Sequence, residues 1–305
     1  MGLHGKFEVD PRNQNIKVFV KDKIVPREDA KVSVFDSSVQ GGDAVWEGLR
    51  LYNGRIFSLN RHLNRLQDSA KSLAFEDIPS KEFIINALRL TLKANEMYDG
   101  VHIRLTLTRG EKITSSMNPE ANQFGSCLIV LAEWKQPVYP SDGVSLITSS
   151  IRRNPPSCVD SKIHHNNLIN NILAKIEANL AGVHDAVMLD LYGFVSETNA
   201  TNIFMVRNGK VFTPHADACL PGITRAVVME ICEELGLTIV EKNLSITEFY
   251  TADEVFTTGT MGELSPVMKI DGRTMRSFLK RPITEYIQKR FKEWVNTKGT
   301  VLLQV

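Results

Sequence analysis

Three short turns in this 305-residue chain have the make-up of anion sites. Leu220-Pro221-Gly222-Ile223-Thr224-Arg225 leads straight into a predicted helix. Backbone N–H groups are exposed at such a start, and a threonine hydroxyl stands beside them. Thr257-Thr258-Gly259-Thr260 follows a predicted strand, and its glycine lets the backbone approach a ligand closely. Gly41-Gly42 lies near the first strands. None of the three fits GxxxxGK[ST] or GxGxxG, so neither a nucleoside triphosphate nor a dinucleotide is indicated. Taken singly, each also reads as a plain turn with a helix cap.

A phosphate would want a fixed cation. His62 and Arg65 share one face of a predicted helix, although a solvated helix face has the same spacing. Lys162 precedes another predicted helix. An amine there, or in a dry pocket, gives up its proton more readily and becomes a nucleophile. Most lysines are surface charges, so spacing alone does not single it out. Glu197 follows a strand and turn in Val195-Ser196-Glu197-Thr198-Asn199-Ala200. Beside a pyridine nitrogen it would keep that ring protonated; otherwise it is an exposed turn residue.

The elements that must position these groups are strands followed by helices. Ile16–Val20 and Val32–Phe35 read as short strands. Asn60 is the expected cap of a helix to about Leu73, and Ser80 of one through Asn95. Val101–Arg109 alternates, with Ile103, Leu105 and Leu107 facing one way and His102, Arg104, Thr106 and Thr108 the other. Leu128–Leu131 reads as a buried strand. Pro137, Pro140, Ser141 and Gly143 mark a linker. The division expected is a small domain over 1–133, an interdomain loop over 134–143 and a large domain over 144–305. In the large domain the strands are Val144–Ser149, Ala186–Asp190, Thr201–Val206, Lys210–Thr213, Thr238–Glu241, Glu254–Thr257 and Leu264–Ile270. Its helices run from about His165 to Ala181, Thr224 to Gly236 and Thr284 to Val295. The mixture predicts two α/β or α+β lobes.

Composition excludes several function classes. A hydrophobic content of 43%, a charged content of 23% and a net charge of +1 give no reason to expect nucleic acid or an acidic membrane as a partner. Cys127, Cys158, Cys219 and Cys232 are far apart, which predicts free thiols in a cytoplasmic protein and no metal site. Met1–Asp10 lacks the pattern of a signal peptide.

Six stretches, in order, resemble the class IV (fold type IV) aminotransferases. They are Trp46-Glu47-Gly48-Leu49-Arg50, His62-Leu63-Asn64-Arg65-Leu66, Lys162 with Asn166, Glu197 through Phe204, Leu220 through Arg225, and Thr258 through Val267. The resemblance spans about Val18 to Val295. It implies a D-amino acid aminotransferase-like fold, with a small N-terminal α/β sandwich lobe and a larger C-terminal β-barrel-like lobe. It also implies pyridoxal 5'-phosphate as cofactor and an assembly of at least two copies. Lys162 would be the catalytic Schiff-base lysine. Glu197 would pair with the pyridine nitrogen, and Leu220 would pack on the ring. Arg65, Gly222, Ile223, Thr224, Gly259 and Thr260 would surround the phosphate. The N–H groups of Thr260 and Met261 would also face the substrate carboxylate.

Trp46-Glu47-Gly48-Leu49-Arg50 and Arg104 look like the branched-chain members of the family, with Arg104 reaching an acceptor such as 2-oxoglutarate. Trp46, His102, Arg104 and Asn167 are therefore the expected substrate contacts. Yet Gly41, His102 and Asn167 stand where tyrosines are typical, which removes apolar wall and hydroxyl donors together. A D-amino acid or (R)-amine transaminase is an alternative, as is a lyase of the aminodeoxychorismate type. His164 and His165 are either polar pocket residues or ordinary residues of the helix start.

Overall fold

The structure is a computed structural model that describes residues 9–140, 142–276 and 280–304. Most of Met1–Asp10, and Ser141 of the expected linker, lie outside it. The described chain forms two compact units, and neither is continuous in sequence. One takes residues 9–136, 163–167 and 295–304; the other takes 137–162 and 168–294. The strips 163–167 and 295–304 thus belong with the N-terminal unit, which no composition signal announces.

The N-terminal unit is a sheet covered on one face by two helices. Among the described residues its strand order is Thr300–Val301, Arg55–Ile56, Ala44–Tyr52, Val101–Thr108, Cys127–Trp134, Lys17–Val20, Lys23–Pro26. Every neighbouring pair is antiparallel. The period of two in Val101–Thr108 works as expected: Val101, Ile103, Leu105 and Leu107 are fully buried in the core, and His102 and Arg104 fall on the other face. Helix Leu59–Ser72 adds Leu59, Leu63, Leu66 and Ala70 to that core. Helix Lys81–Ala94 adds Ile84, Ala87, Leu88 and Leu92. Burying each leucine stabilises the unit by about 2 kcal/mol. Ser80 caps its helix by accepting from Phe83 N–H at 3.2 Å. The first helix opens differently from the reading at Asn60. Ser58 is its N-cap, in a left-handed conformation at φ 53°, and makes no side-chain cap bond.

Two further expectations fail here. Val32–Phe35 is not a strand: its valines and phenylalanine are exposed, and the chain turns into the short helix Ser37–Gly41, capped by Asp36 at 2.8 Å. The helix expected from His165 begins only at Ile169. Residues 163–167 are instead irregular chain laid beside the strand Ala44–Tyr52. His165 bridges to Val45, Trp46 N–H donates to His164 C=O at 2.9 Å, and Ile163 packs on the core. A free strand edge outcompeted the helical period.

The C-terminal unit is built on a mixed sheet, nine-stranded among the described residues. Its order is Ile239–Glu241, Lys210–Thr213, Asn202–Arg207, Glu254–Gly259, Glu263–Ile270, Val144–Thr148, Asp185–Leu189, Val195–Thr198, with Arg273–Thr274 pairing to one side. The last strand, Val195–Thr198, lies against Asn202–Arg207, so the sheet curls back on itself in a barrel-like way. Glu197 thus stands within a strand rather than in the turn after one. Helix Ile223–Glu234 ends as expected before Gly236, whose φ is 70°.

Candidate active site

In the C-terminal unit, one loop gathers three of the expected groups. Lys162 donates from Nζ to Asp217 C=O at 3.1 Å, with Asp160 Oδ1 3.7 Å away. Leu220 N–H reaches Glu197 Oε1 at 3.4 Å, and Ser196 Oγ donates to Ala218 C=O at 2.9 Å. The same loop then enters helix Ile223–Glu234. Lysine, carboxylate and helix start are therefore tied to residues 217–223 of one segment. Lys162 departs from one sequence argument. It sits neither at a helix start nor in a dry pocket: its side chain is 45% exposed, and the next helix begins at Ile169.

Glu197 is buried, not an exposed turn residue. Arg153 Nε donates to its Oε1 at 2.7 Å, and Asn202 Nδ2 to its Oε2 at 3.2 Å. Asn202 also holds Leu220 C=O at 2.9 Å. The helix that follows has Gly222 as N-cap and no side-chain cap, so its first N–H groups stay open to an anion. Gly222 is required there by space, because a Cβ would overlap Asn202 Oδ1. Arg225 anchors the helix from behind, donating to Pro214 C=O at 2.9 Å and to Glu241. At the other turn, neither Thr260 nor Met261 donates its N–H to any described group. Gly259 lies close to Thr201, with a Cβ position 3.2 Å from its Cγ2.

In the N-terminal unit, Glu47 points from strand Ala44–Tyr52 toward helix Leu59–Ser72. His62 and Arg65 stand three residues apart on that helix and meet it. Arg65 donates from Nε to Oε1 and from Nη2 to Oε2, both at 2.7 Å. His62 Nδ1 lies 2.6 Å from Oε2, and His164 Nδ1 lies 3.1 Å from Oε1. Burial alone would raise the Glu47 carboxyl, but His164 and Arg65 outweigh it and hold the group well below the usual carboxylate range. Burial pushes His164 itself down to about 4, so at neutral pH Arg65 supplies the counter-charge.

The opposite sheet face carries the expected substrate contacts. The Arg104 guanidinium lies 3.5 Å from the centre of the Trp46 ring and donates to Asn166 Oδ1 at 3.0 Å. Burial lowers Arg104 to about 10, and no carboxylate pairs with it among the described residues. The Trp46 ring also meets the His164 ring, centroid to centroid at 4.2 Å, and its Nε1 donates to His165 C=O at 3.2 Å. Burial, followed by the charges of Lys135, Arg50 and Arg104, pushes His102 down to about 3. Its Nε2 is buried without a hydrogen-bond partner. Asn167 lies against Gly42, and a Cβ at Gly41 would meet nothing within 4 Å.

No local sequence pattern singles out Arg153 or Asp217, and Asn202 lies in the stretch Glu197 through Phe204 without a role of its own being legible there. Arg153 and Asn202 meet at Glu197, and Asp217 meets Lys162, only once the chain is folded. No group of side chains able to hold a metal occurs among the described residues.

The model of the family described as amino-transferase class IV matches residues 44–270. The chain belongs to the class IV aminotransferases. A "putative branched-chain-amino-acid aminotransferase" of Methanocaldococcus jannaschii is 41% identical over 286 residues, 93% of this chain and 97% of that one. The "branched-chain-amino-acid aminotransferase-like protein 2" of Arabidopsis thaliana is 59% identical over 95% of this chain, but this chain spans only 52% of that relative's length. Among solved structures, a branched-chain aminotransferase from Thermoproteus uzoniensis with norvaline superposes with a TM-score of 0.86. It is 31% identical, with 93% of this chain and 96% of that one covered. A second solved relative is a branched-chain amino acid aminotransferase complexed with N-(5'-phosphopyridoxyl)-L-glutamate. It also superposes with a TM-score of 0.86, at 32% identity and with 95% of each chain covered. This class IV aminotransferase therefore has the type IV fold that its motifs implied. No helix among its described residues is long and apolar enough to cross a membrane.

Proposed function

We propose that this chain is a pyridoxal-phosphate-dependent transaminase. It moves an amino group from an amino acid, of the branched-chain type, to a keto acid such as 2-oxoglutarate. The observation that carries the reading is the segment 217–223, which ties Lys162, Glu197 and an uncapped helix start together. The residues present fit the cofactor. An open helix start flanked by a glycine with no room for a Cβ suits a phosphate, and a buried carboxylate suits a ring nitrogen. The phosphopyridoxyl-glutamate bound by a solved relative supports the same choice.

Ile223 and Thr224 bind the phosphate through their N–H groups, with Thr260 and, on the family's pattern, Arg65. Gly222 and Gly259 let the backbone come close, and Leu220 packs on the ring. When bound, the cofactor draws off the electron pair of the bond broken at the substrate α-carbon. Lys162 Nζ would take the α-proton of the amino donor and carry it away from that carbon, and in the reverse direction would deliver a proton to the α-carbon of the acceptor. Glu197 holds the proton of the ring nitrogen, and Arg153 fixes its carboxylate. Thr260 and Met261 receive the substrate carboxylate on their N–H groups. Arg104, which has no carboxylate partner of its own, receives the second carboxylate of the acceptor. Trp46, His102 and Asn167 surround the donor side chain.

We place the homodimer contact on helix Ile169–Leu180. Ile169, Ile172, Leu173, Ile176 and Leu180 expose a continuous apolar stripe along it. Ile172→Lys combined with Ile176→Lys should give a monomer in analytical ultracentrifugation.

A donor panel with 2-oxoglutarate tests the reaction. Glutamate should form from L-leucine, L-isoleucine or L-valine, and Lys162→Ala should lose both turnover and the absorbance of lysine-bound cofactor. Activity with D-alanine but not L-leucine would sink the branched-chain reading. Pyruvate release without conversion of the cofactor to its amino form would point to a lyase.

A further inference from the structure

The turn Thr260–Gly262 is held from behind by a residue of the segment that precedes the first strand of its unit. The Tyr139 ring lies on Gly262 so closely that a Cβ there would come within 2.5 Å of it. Val138 N–H donates to Met261 C=O at 3.2 Å, and Ser265 Oγ donates to Gly262 C=O at 2.9 Å. The Tyr139 hydroxyl donates to Asp185, and it also meets Thr201, the residue beneath Gly259.

Asp185 is a rigid anchor. It is 4% exposed and accepts from Asn199 Nδ2 at 3.0 Å, with Lys175 Nζ 3.5 Å away. Asn199 is itself locked to Ala186 by two bonds. Its Oδ1 accepts from Ala186 N–H at 2.7 Å, and its own N–H donates to Ala186 C=O at 2.9 Å. Thr260 and Met261, by contrast, make no N–H bond that would fix the turn locally. Two adjacent N–H groups converge on one anion only while their peptide planes are held; the hairpin pair Gly259–Glu263 closes the turn, and Tyr139 and Val138 add a restraint from behind it.

We propose that Tyr139 is a positioning residue for substrate binding. Braced on Asp185, its ring fixes Thr260–Gly262 so that the two open N–H groups act as one carboxylate clamp. The inference rests on the reading that these N–H groups receive the substrate carboxylate. Amino donor and keto acceptor share that carboxylate, so the brace acts on both substrates alike, whatever their side chains.

The test uses the holoenzyme and 4-methylpentanoate, an unreactive carboxylate, titrated by calorimetry beside steady-state kinetics. Tyr139→Phe should weaken carboxylate binding roughly fivefold to tenfold and raise both KM values by the same factor, with kcat within about twofold. Gly262→Ala should do the same, since its methyl meets the ring. In Gly262→Ala/Tyr139→Ala the methyl should add nothing to the effect of Tyr139→Ala, because the ring it strikes is gone. Unchanged carboxylate binding with only a lower unfolding midpoint would overturn the brace, as would additive effects in the double variant. A wild-type protein that binds the carboxylate but transfers no amino group would defeat the proposed function and leave the brace to the titration.

Discussion

Arg153 Nε sits 2.7 Å from Glu197 Oε1, with both side chains at least nine-tenths buried. Two full charges taken out of water are tolerable only as a pair, so neither residue can be changed alone without exposing the other's desolvation cost. Arg153→Met should destabilise the protein by about 3–5 kcal/mol, measured by urea unfolding of the cofactor-free form. Glu197→Gln should keep cofactor binding and lower kcat at least about a hundredfold, because a neutral amide no longer holds the ring-nitrogen proton. Near-normal kcat in that variant would remove Glu197 from the chemistry.

Glu47 makes a second prediction. Its carboxylate is the fork in which Arg65 is held, and it is fully buried. Glu47→Gln replaces one of the two acceptor oxygens by a donor facing an arginine. Cofactor affinity, followed by fluorescence quenching, should fall at least about tenfold, the equivalent of losing one charge-assisted bond. An unchanged affinity would show that the aim of Arg65 does not matter to the cofactor.

The pH dependence of stability has a definite sign. His164 is held down to about 4 by burial, while an unfolded histidine titrates near about 6.5. Between those values the unfolded chain binds the extra proton and the folded chain does not. Stability is therefore lost as pH falls from about 6.5 toward 4, by roughly 1–3 kcal/mol from this group. His102, pushed down to about 3, adds to the same trend. His164→Gln should flatten that part of the curve of unfolding midpoint against pH.

Gly222 and Gly41 should behave as opposites. Gly222→Ala drives a methyl into Asn202 Oδ1 and displaces Asn202 from Glu197 and Leu220. Cofactor binding should fall sharply, with a cost of about 1–3 kcal/mol in stability. At the exposed Gly41 a Cβ meets nothing within 4 Å, so Gly41→Tyr should change the unfolding midpoint little. It should shift the donor preference in the panel instead, if a phenol at this position completes the wall of the proposed pocket.

What could be read in the sequence was whatever local periodicity controls. Ser80 as a cap, the alternation of Val101–Thr108 and the end of a helix before Gly236 all follow from neighbours within a few residues. The ordered motifs placed Lys162, Glu197 and the two turns in one family. What could not be read depends on distant partners. The stretch from His165 reads as the start of a helix until the edge beside Val45 and Trp46 is there to take His164 and His165. Val32–Phe35 has strand-like residue types but no strand to pair with. Arg153 is 44 positions from Glu197, and nothing near it hints at a carboxylate.

The sheet of the N-terminal unit gains its outermost strand from Thr300–Val301, and Leu302 and Leu303 are buried in its core. Leu302 and Leu303 both donate their N–H to Gly54 C=O. A ribosome that has made residues 9–136 has therefore not made a finished unit. Gly54 and the strand Arg55–Ile56 wait for partners about 250 positions downstream, a contact of high sequence separation that forms late. A chain cut before residue 300 lacks both that pairing and the two buried leucines, so its N-terminal unit should unfold more readily than that of the whole chain.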